Sequence, residues 1–170
     1  MRQIKQYGFT LIELSLVMAI ITGLLTIAVP DMFKLRLSSE RRECTAAIYG
    51  LIQHAKSLAV ATNRPLWLHI RNESLGQQWR LSLTNTDNIP STSNTVSVID
   101  AISFPNIVLD GAYLNDKLMF FPERGKLSSG HIKIALRSQP GSHLKLITSF
   151  GAARIRICSN GIRYDDWPKC

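Results

Sequence analysis

From Phe9 to Val29 the chain reads FTLIELSLVMAIITGLLTIAV, 21 positions that carry one charge, Glu13. A helix of that length rises about 31 Å, which matches a hydrocarbon core of about 30 Å, so residues 9–29 are predicted to cross a membrane. Arg2 and Lys5 precede the run. Basic residues stay on the cytoplasmic side, so the remainder is expected to lie across the membrane. A secretory signal has a shorter apolar run and ends at a small-x-small cleavage site. An uncleaved anchor fits the length, but a carboxylate inside an apolar helix is costly and marks a partner or a function.

Beyond Val29 the pattern changes from uniformly apolar to periodic. Met32, Leu35, Ala46, Ile48, Leu51, Ile52, Ala55, Leu58 and Ala59 recur largely at three- and four-residue steps among charged residues, which predicts an amphipathic helix over residues 30–62. One helix is therefore expected from Phe9 to near Thr62, with Asn63-Arg64-Pro65 ending it because the residue before proline resists helical geometry. After Pro65 the runs shorten. Strands are predicted at 66–71, 79–83, 96–99, 107–109, 118–121, 131–136, 144–149 and 154–158. Asn85 to Thr95 reads as a polar loop, and Gln139-Pro140-Gly141-Ser142 as a turn. The fold class is α+β, a long N-terminal helix whose second half packs on a small antiparallel β domain over residues 63–170.

Charge sharpens this picture. The net charge is +8, and residues 124–170 alone hold nine basic residues against Asp165 and Asp166, an excess of +7. A one-sided field of this size suits an acidic partner such as nucleic acid, and equally a solvated face that keeps the protein soluble. Three cysteines are present. Cys158 and Cys170 are separated by residues that include Asn160-Gly161 and Pro168, so a closed C-terminal loop is easy to form in an oxidising compartment. Cys44 falls in the helical pattern and reads as a small buried residue.

Gly8-Phe9-Thr10-Leu11-Ile12-Glu13 resembles the processing and assembly motif of type IV prepilins and type II secretion pseudopilins. The resemblance implies a leader, residues 1–8, that a prepilin peptidase removes after Gly8, and methylation of the new amine on Phe9. It also implies that Glu13 meets the free amine of a neighbouring subunit in a filament, a buried partner for a buried charge. Pro30 falls where pilins carry a helix-kinking proline. The downstream half is similar to the FimT/GspH branch of minor pilins and pseudopilins. Phe120-Phe121-Pro122-Glu123-Arg124-Gly125 resembles its F-x-P-x-G element with one extra residue. Arg154-x-Arg156-x-Cys158 resembles the end of its Gly-Arg-x-Arg-x-Cys stretch, from which Gly151 is displaced by two alanines.

Arg154 and Arg156 alternate with Ile155 and Ile157, so on a strand both guanidinium groups share one face. They are either an ordinary wet face or, with Arg163, Lys169, Lys145 and Arg137, a phosphate-binding patch for which the arginine fork is suited. Tyr164 and Trp167 are packing residues of the loop or stacking platforms for bases. Several FimT-type members are associated with DNA uptake in natural transformation, whereas the GspH branch caps a secretion pseudopilus. Two functions are therefore expected: a minor pilin that binds DNA non-specifically, or a structural subunit of a pilus or secretion pseudopilus. The expected partners are the peptidase, other pilin or minor pilin subunits, DNA and the inner membrane, with the C-terminal domain in the periplasm. His54, His69, His131 and His143 have no metal-ligand spacing with the cysteines, and no hydrolase, zincin or phosphate-loop motif occurs. No enzyme, cofactor or metal is expected.

Overall fold

The computed structural model describes residues 9–73, 78–161 and 167–170. A 52-residue helix, α1 (Leu11–Thr62), is followed by β1 (Leu66–Glu73), β2 (Gln78–Thr84), β3 (Thr95–Asp100), β4 (Ile107–Ala112), β5 (Lys117–Phe120), β6 (Gly130–Leu136), β7 (Gln139–Ser149) and β8 (Arg154–Asn160). The chain divides into two units, one reaching to Ser38 and one over Ser39–Cys170.

The first unit is the opening part of α1. Thr10 caps it: its hydroxyl accepts from the Glu13 backbone N–H at 3.3 Å, the first half of a capping box. Leu11, Ile12, Leu14, Leu16, Val17, Met18, Ile20, Ile21, Leu24 and Leu25 are all exposed. The hydroxyls among them are turned inward. Ser15 donates to the Leu11 and Ile12 carbonyls, Thr22 to Met18 and Ala19, and Thr26 to Gly23, so each is satisfied within its own helix. Among the described residues no helix is long and apolar enough to cross a membrane; the described apolar side chains from Leu11 to Thr26 span about 24 Å.

In the second unit α1 buries one stripe, formed by Arg41, Cys44, Thr45, Ile48, Leu51, Ile52, Ala55 and Ala59. Steps of three and four residues keep these positions on one face. The helix ends in a Schellman motif. The Arg64 N–H reaches the Ala59 carbonyl at 3.2 Å, the Asn63 N–H reaches Val60 at 3.3 Å, and Asn63 takes the left-handed conformation, φ 50°. Asn63 therefore closes the helix one residue before the restriction imposed by Pro65 begins.

The strands form two four-stranded antiparallel sheets. Their orders are β3-β2-β1-β5 and β4-β6-β7-β8. All eight expected strands are present, seven with ends extended by one to five residues and β5 shifted to start one residue earlier and to stop before Phe121. In the first sheet Leu66, Leu68, Ile70, Trp79, Leu81, Leu83, Leu118 and Phe120 line the buried face. In the second, Ile107, Leu109, Ile132, Ile134, Leu144 and Leu146 do so. Strict alternation in each strand sends the intervening residues to the opposite face.

The expected turn at Gln139-Pro140-Gly141-Ser142 lies elsewhere. The chain reverses at Arg137-Ser138, and Gln139 already pairs with Leu136. The register then jumps, since the next pair is Ala135 with His143, so Pro140-Gly141-Ser142 bulge out of the ladder. Proline lacks the N–H a ladder requires and is tolerated at a bulge. The turn-forming residues bend the strand here without reversing it.

Candidate nucleic-acid interface

Because residues paired across adjacent strands share a face, the ladder register of the second sheet shows which side chains meet. One cross-sheet row on the face turned away from the core is Asp110, Lys133 and Lys145, ending at Cys158, which is buried and bonded to Cys170. The next is Ala112, His131, Ile147 and Arg156, followed by Ser149 with Arg154. On the other side lies the row Val108, Ala135, His143 and Asn160. Arg154 and Arg156 are exposed, while Ile155 and Ile157 point to the opposite face. The outer face thus collects Arg154, Arg156, Lys145, Lys133, His131 and His143.

Lys133 and Lys145 are directly opposed across β6 and β7, an arrangement that is unfavourable between like charges. Asp110 relieves it in part: its carboxylate accepts from the Lys133 ammonium at 3.0 Å, with both side chains well exposed, and an exposed pair is worth little. His131 is held below the ordinary imidazole range by partial burial and then by Lys145 and Lys133. His143 is lowered by burial, Lys133 and Lys145, while Asp110 pulls both the other way. The face is electropositive in character, and its positions from Gly130 to Ala135 on β6 and from His143 to Ser149 on β7 are paired in the ladder.

The residues proposed from sequence do not all meet here. Arg154, Arg156 and Lys145 share the face. Lys169 lies in the C-terminal segment beside the end of β8, where the Ser159 N–H donates to Pro168 at 2.8 Å and the Cys170 N–H donates to Ser159 at 3.1 Å. Cys158 and Cys170 are disulfide-bonded, with Cα atoms 4.9 Å apart, and Cys44 is free and buried. Trp167 is exposed. Arg137 stands apart, at the β6–β7 reversal, where it lines a hollow with Arg71, Trp79, Arg80, Asp100 and Pro105. Arg163, Tyr164 and Gly8 lie outside the described residues. Phe9 is exposed, and Glu13 occupies the first turn of α1, where a helix N-terminus favours a carboxylate. Lys133, His131 and His143 were not singled out from sequence. Their signal was the alternation H-x-K-x-A in 131–135 and H-x-K-x-I in 143–147.

The F-x-P-x-G-like element forms a tight turn, Glu123–Gly125, in which Arg124 and Gly125 are both left-handed, φ 58° and 59°. Gly125 is buried against Lys56 and Val60 of α1. Beside it Lys56 donates to the Ala153 carbonyl at 3.0 Å and Lys126 lies over the Phe150 ring. This element joins the helix to the β7–β8 turn that precedes Arg154. Among the described residues no group of three or more His, Cys, Asp and Glu is placed to hold a metal.

A long N-terminal helix leading into a small antiparallel domain defines the class: a type IV pilin-like subunit of the minor pilin and pseudopilin kind. More particularly, the chain belongs to the family of the type II transport protein GspH, whose model matches residues 45–164. A solved structure, the type IV minor pilin FimU of Pseudomonas aeruginosa strain PAO1, shares the fold with a TM-score of 0.53 and 20% identity over 77% of this chain and 97% of that one. No curated protein matches the chain at a significant level.

Proposed function

We propose that this chain is a minor type IV pilin that enters a pilus and binds DNA without sequence preference, serving DNA uptake in natural transformation. The observation that carries the reading is the juxtaposition of Arg154 and Arg156 with Lys145 on one outward sheet face. Guanidinium and ammonium groups contact phosphate oxygens and carry no base information, so such a face positions a duplex without reading it. The same reading has a prepilin peptidase cut after Gly8, residues 9–29 hold the subunit in the inner membrane with the domain in the periplasm, and Glu13 meet a neighbouring subunit. The inward-turned hydroxyls of Ser15, Thr22 and Thr26 support it, because they leave an apolar surface suited to lipid or to other subunit helices.

The test is a salt titration of DNA binding, using the full chain in a neutral detergent. If four to six phosphates are neutralised, affinity falls by roughly two orders of magnitude or more between low and physiological salt. Arg154→Gln with Arg156→Gln should flatten the log-log slope by about two units. The family match favours a second reading, a structural subunit of a secretion pseudopilus that works only through protein contacts. Absence of binding at low salt by the folded protein selects that reading.

A further inference from the structure

We infer that His131 and His143 are conditional members of the same anion-binding face, so that the protein holds a polyphosphate chain more tightly as the pH falls. The inference rests on the DNA-binding reading and adds two residues and a proton dependence to it. Its basis is placement. On β6, His131 and Lys133 occupy alternate positions and share the outer face; on β7, His143 and Lys145 do the same. Lys133 and Lys145 face each other directly, so the two histidines lie on opposite sides of a lysine pair.

The groups facing them from the neighbouring strands are known from the register. β4 contributes Val108, Asp110 and Ala112, and β8 contributes Arg156, Cys158 and Asn160, with Arg154 one step further along. Asp110 is the one carboxylate in these rows, and it is engaged with Lys133. Both histidines are half-buried, so in the free protein an added proton meets partial desolvation and two ammonium groups. Both effects lower the imidazole pKa. A phosphate oxygen bound over the lysine pair reverses the sign of the local field and favours the imidazolium. Binding must then be accompanied by proton uptake, and by linkage affinity must rise as pH falls through the imidazole range.

The experiment measures binding of the full chain, in neutral detergent, to a 20-base-pair duplex at pH 8.0 and pH 5.5 and equal ionic strength. The expected result is roughly five- to tenfold tighter binding at pH 5.5, with a salt slope steeper by up to about two contacts. His131→Gln with His143→Gln should abolish most of that gain, whereas His54→Gln, an exposed position on α1, should keep it. A second readout is independent of the variants' folding: the His131 and His143 ring resonances of the wild-type protein should titrate at higher pH with the duplex present than without it. Binding that is intact at pH 8.0 but insensitive to pH, or unmoved histidine titrations, would overturn the histidine inference alone. No binding at either pH by the folded protein would overturn it together with the DNA-binding reading.

Discussion

Both carboxylate oxygens of Glu40 accept hydrogen bonds from Asn106: Oε1 from its backbone N–H at 2.9 Å and Oε2 from its side-chain amide at 2.8 Å. The two residues are 66 positions apart, so one helical side chain holds the turn between β3 and β4. Asn106 in turn offers its carbonyl to the Arg137 N–H at 2.8 Å, which ties the β6–β7 reversal to the same point. Charged hydrogen bonds of this kind are worth about 1.5–3 kcal/mol each when buried, and less at a partly exposed site. Glu40→Ala should therefore lower stability by about 1–2 kcal/mol, with a fall in Tm of several degrees. Thermal unfolding of the two proteins in the same detergent checks this, and an unchanged Tm would show that the clamp is dispensable.

Gly125 tests the contact between helix and turn. Its φ of +59° is unfavourable for any side chain, and a Cβ there would lie 2.8 Å from Lys56 Cε. Lys56 cannot simply swing aside, because its ammonium is bound to the Ala153 carbonyl. Gly125→Ala is expected to cost about 1–3 kcal/mol. Gly141→Ala is the control, since open space surrounds that glycine and its φ is not left-handed. Equal destabilisation by both substitutions would refute the argument.

The cysteines should separate cleanly by reactivity. Burial, and then the Glu40 carboxylate, push the Cys44 thiol up to about 12, so at pH 8 almost no thiolate is available to attack an alkylating reagent. Iodoacetamide should leave Cys44 unmodified in the native protein and label it on unfolding. Cys170→Ser should free the segment from Trp167 onward to proteolysis and cost about 3 kcal/mol in the chain-entropy model of loop closure. Peptide mapping without reductant that found Cys44 joined to either partner would contradict the structure.

Processing provides a test outside the folded domain. In cells that hold a prepilin peptidase the mature chain should begin at Phe9 with a methylated amine, and Gly8→Arg should leave the leader attached. Intact-mass measurement of the membrane fraction distinguishes the two. A wild-type chain that still begins at Met1 would remove the leader from the proposal.

Local chemistry was enough for the elements themselves. The switch from three- and four-residue spacing before Thr62 to alternation after Pro65 placed α1 and all eight strands, because helix and strand periods are properties of neighbouring residues. The Cys158–Cys170 loop was legible for the same reason, as closure of a short segment depends on what lies between its ends. Only the tertiary structure decided the rest. The strands divide into two sheets because β4 and β5, neighbours in sequence, pair with partners in different sheets. A strand's pattern states that one face is buried, but not which strand it lies beside. The bulge at Pro140 likewise depends on the register of β6 against β7. The basic face follows from that register too: Lys133 meets Lys145, and His131 joins Arg156 through Ile147, only once the ladder is aligned. Arg137, close to these residues in the chain, is sent to another surface by the hairpin. Sequence determines which charges exist and how they alternate, but cross-strand alignment, set by packing of the whole domain, determines which of them act together.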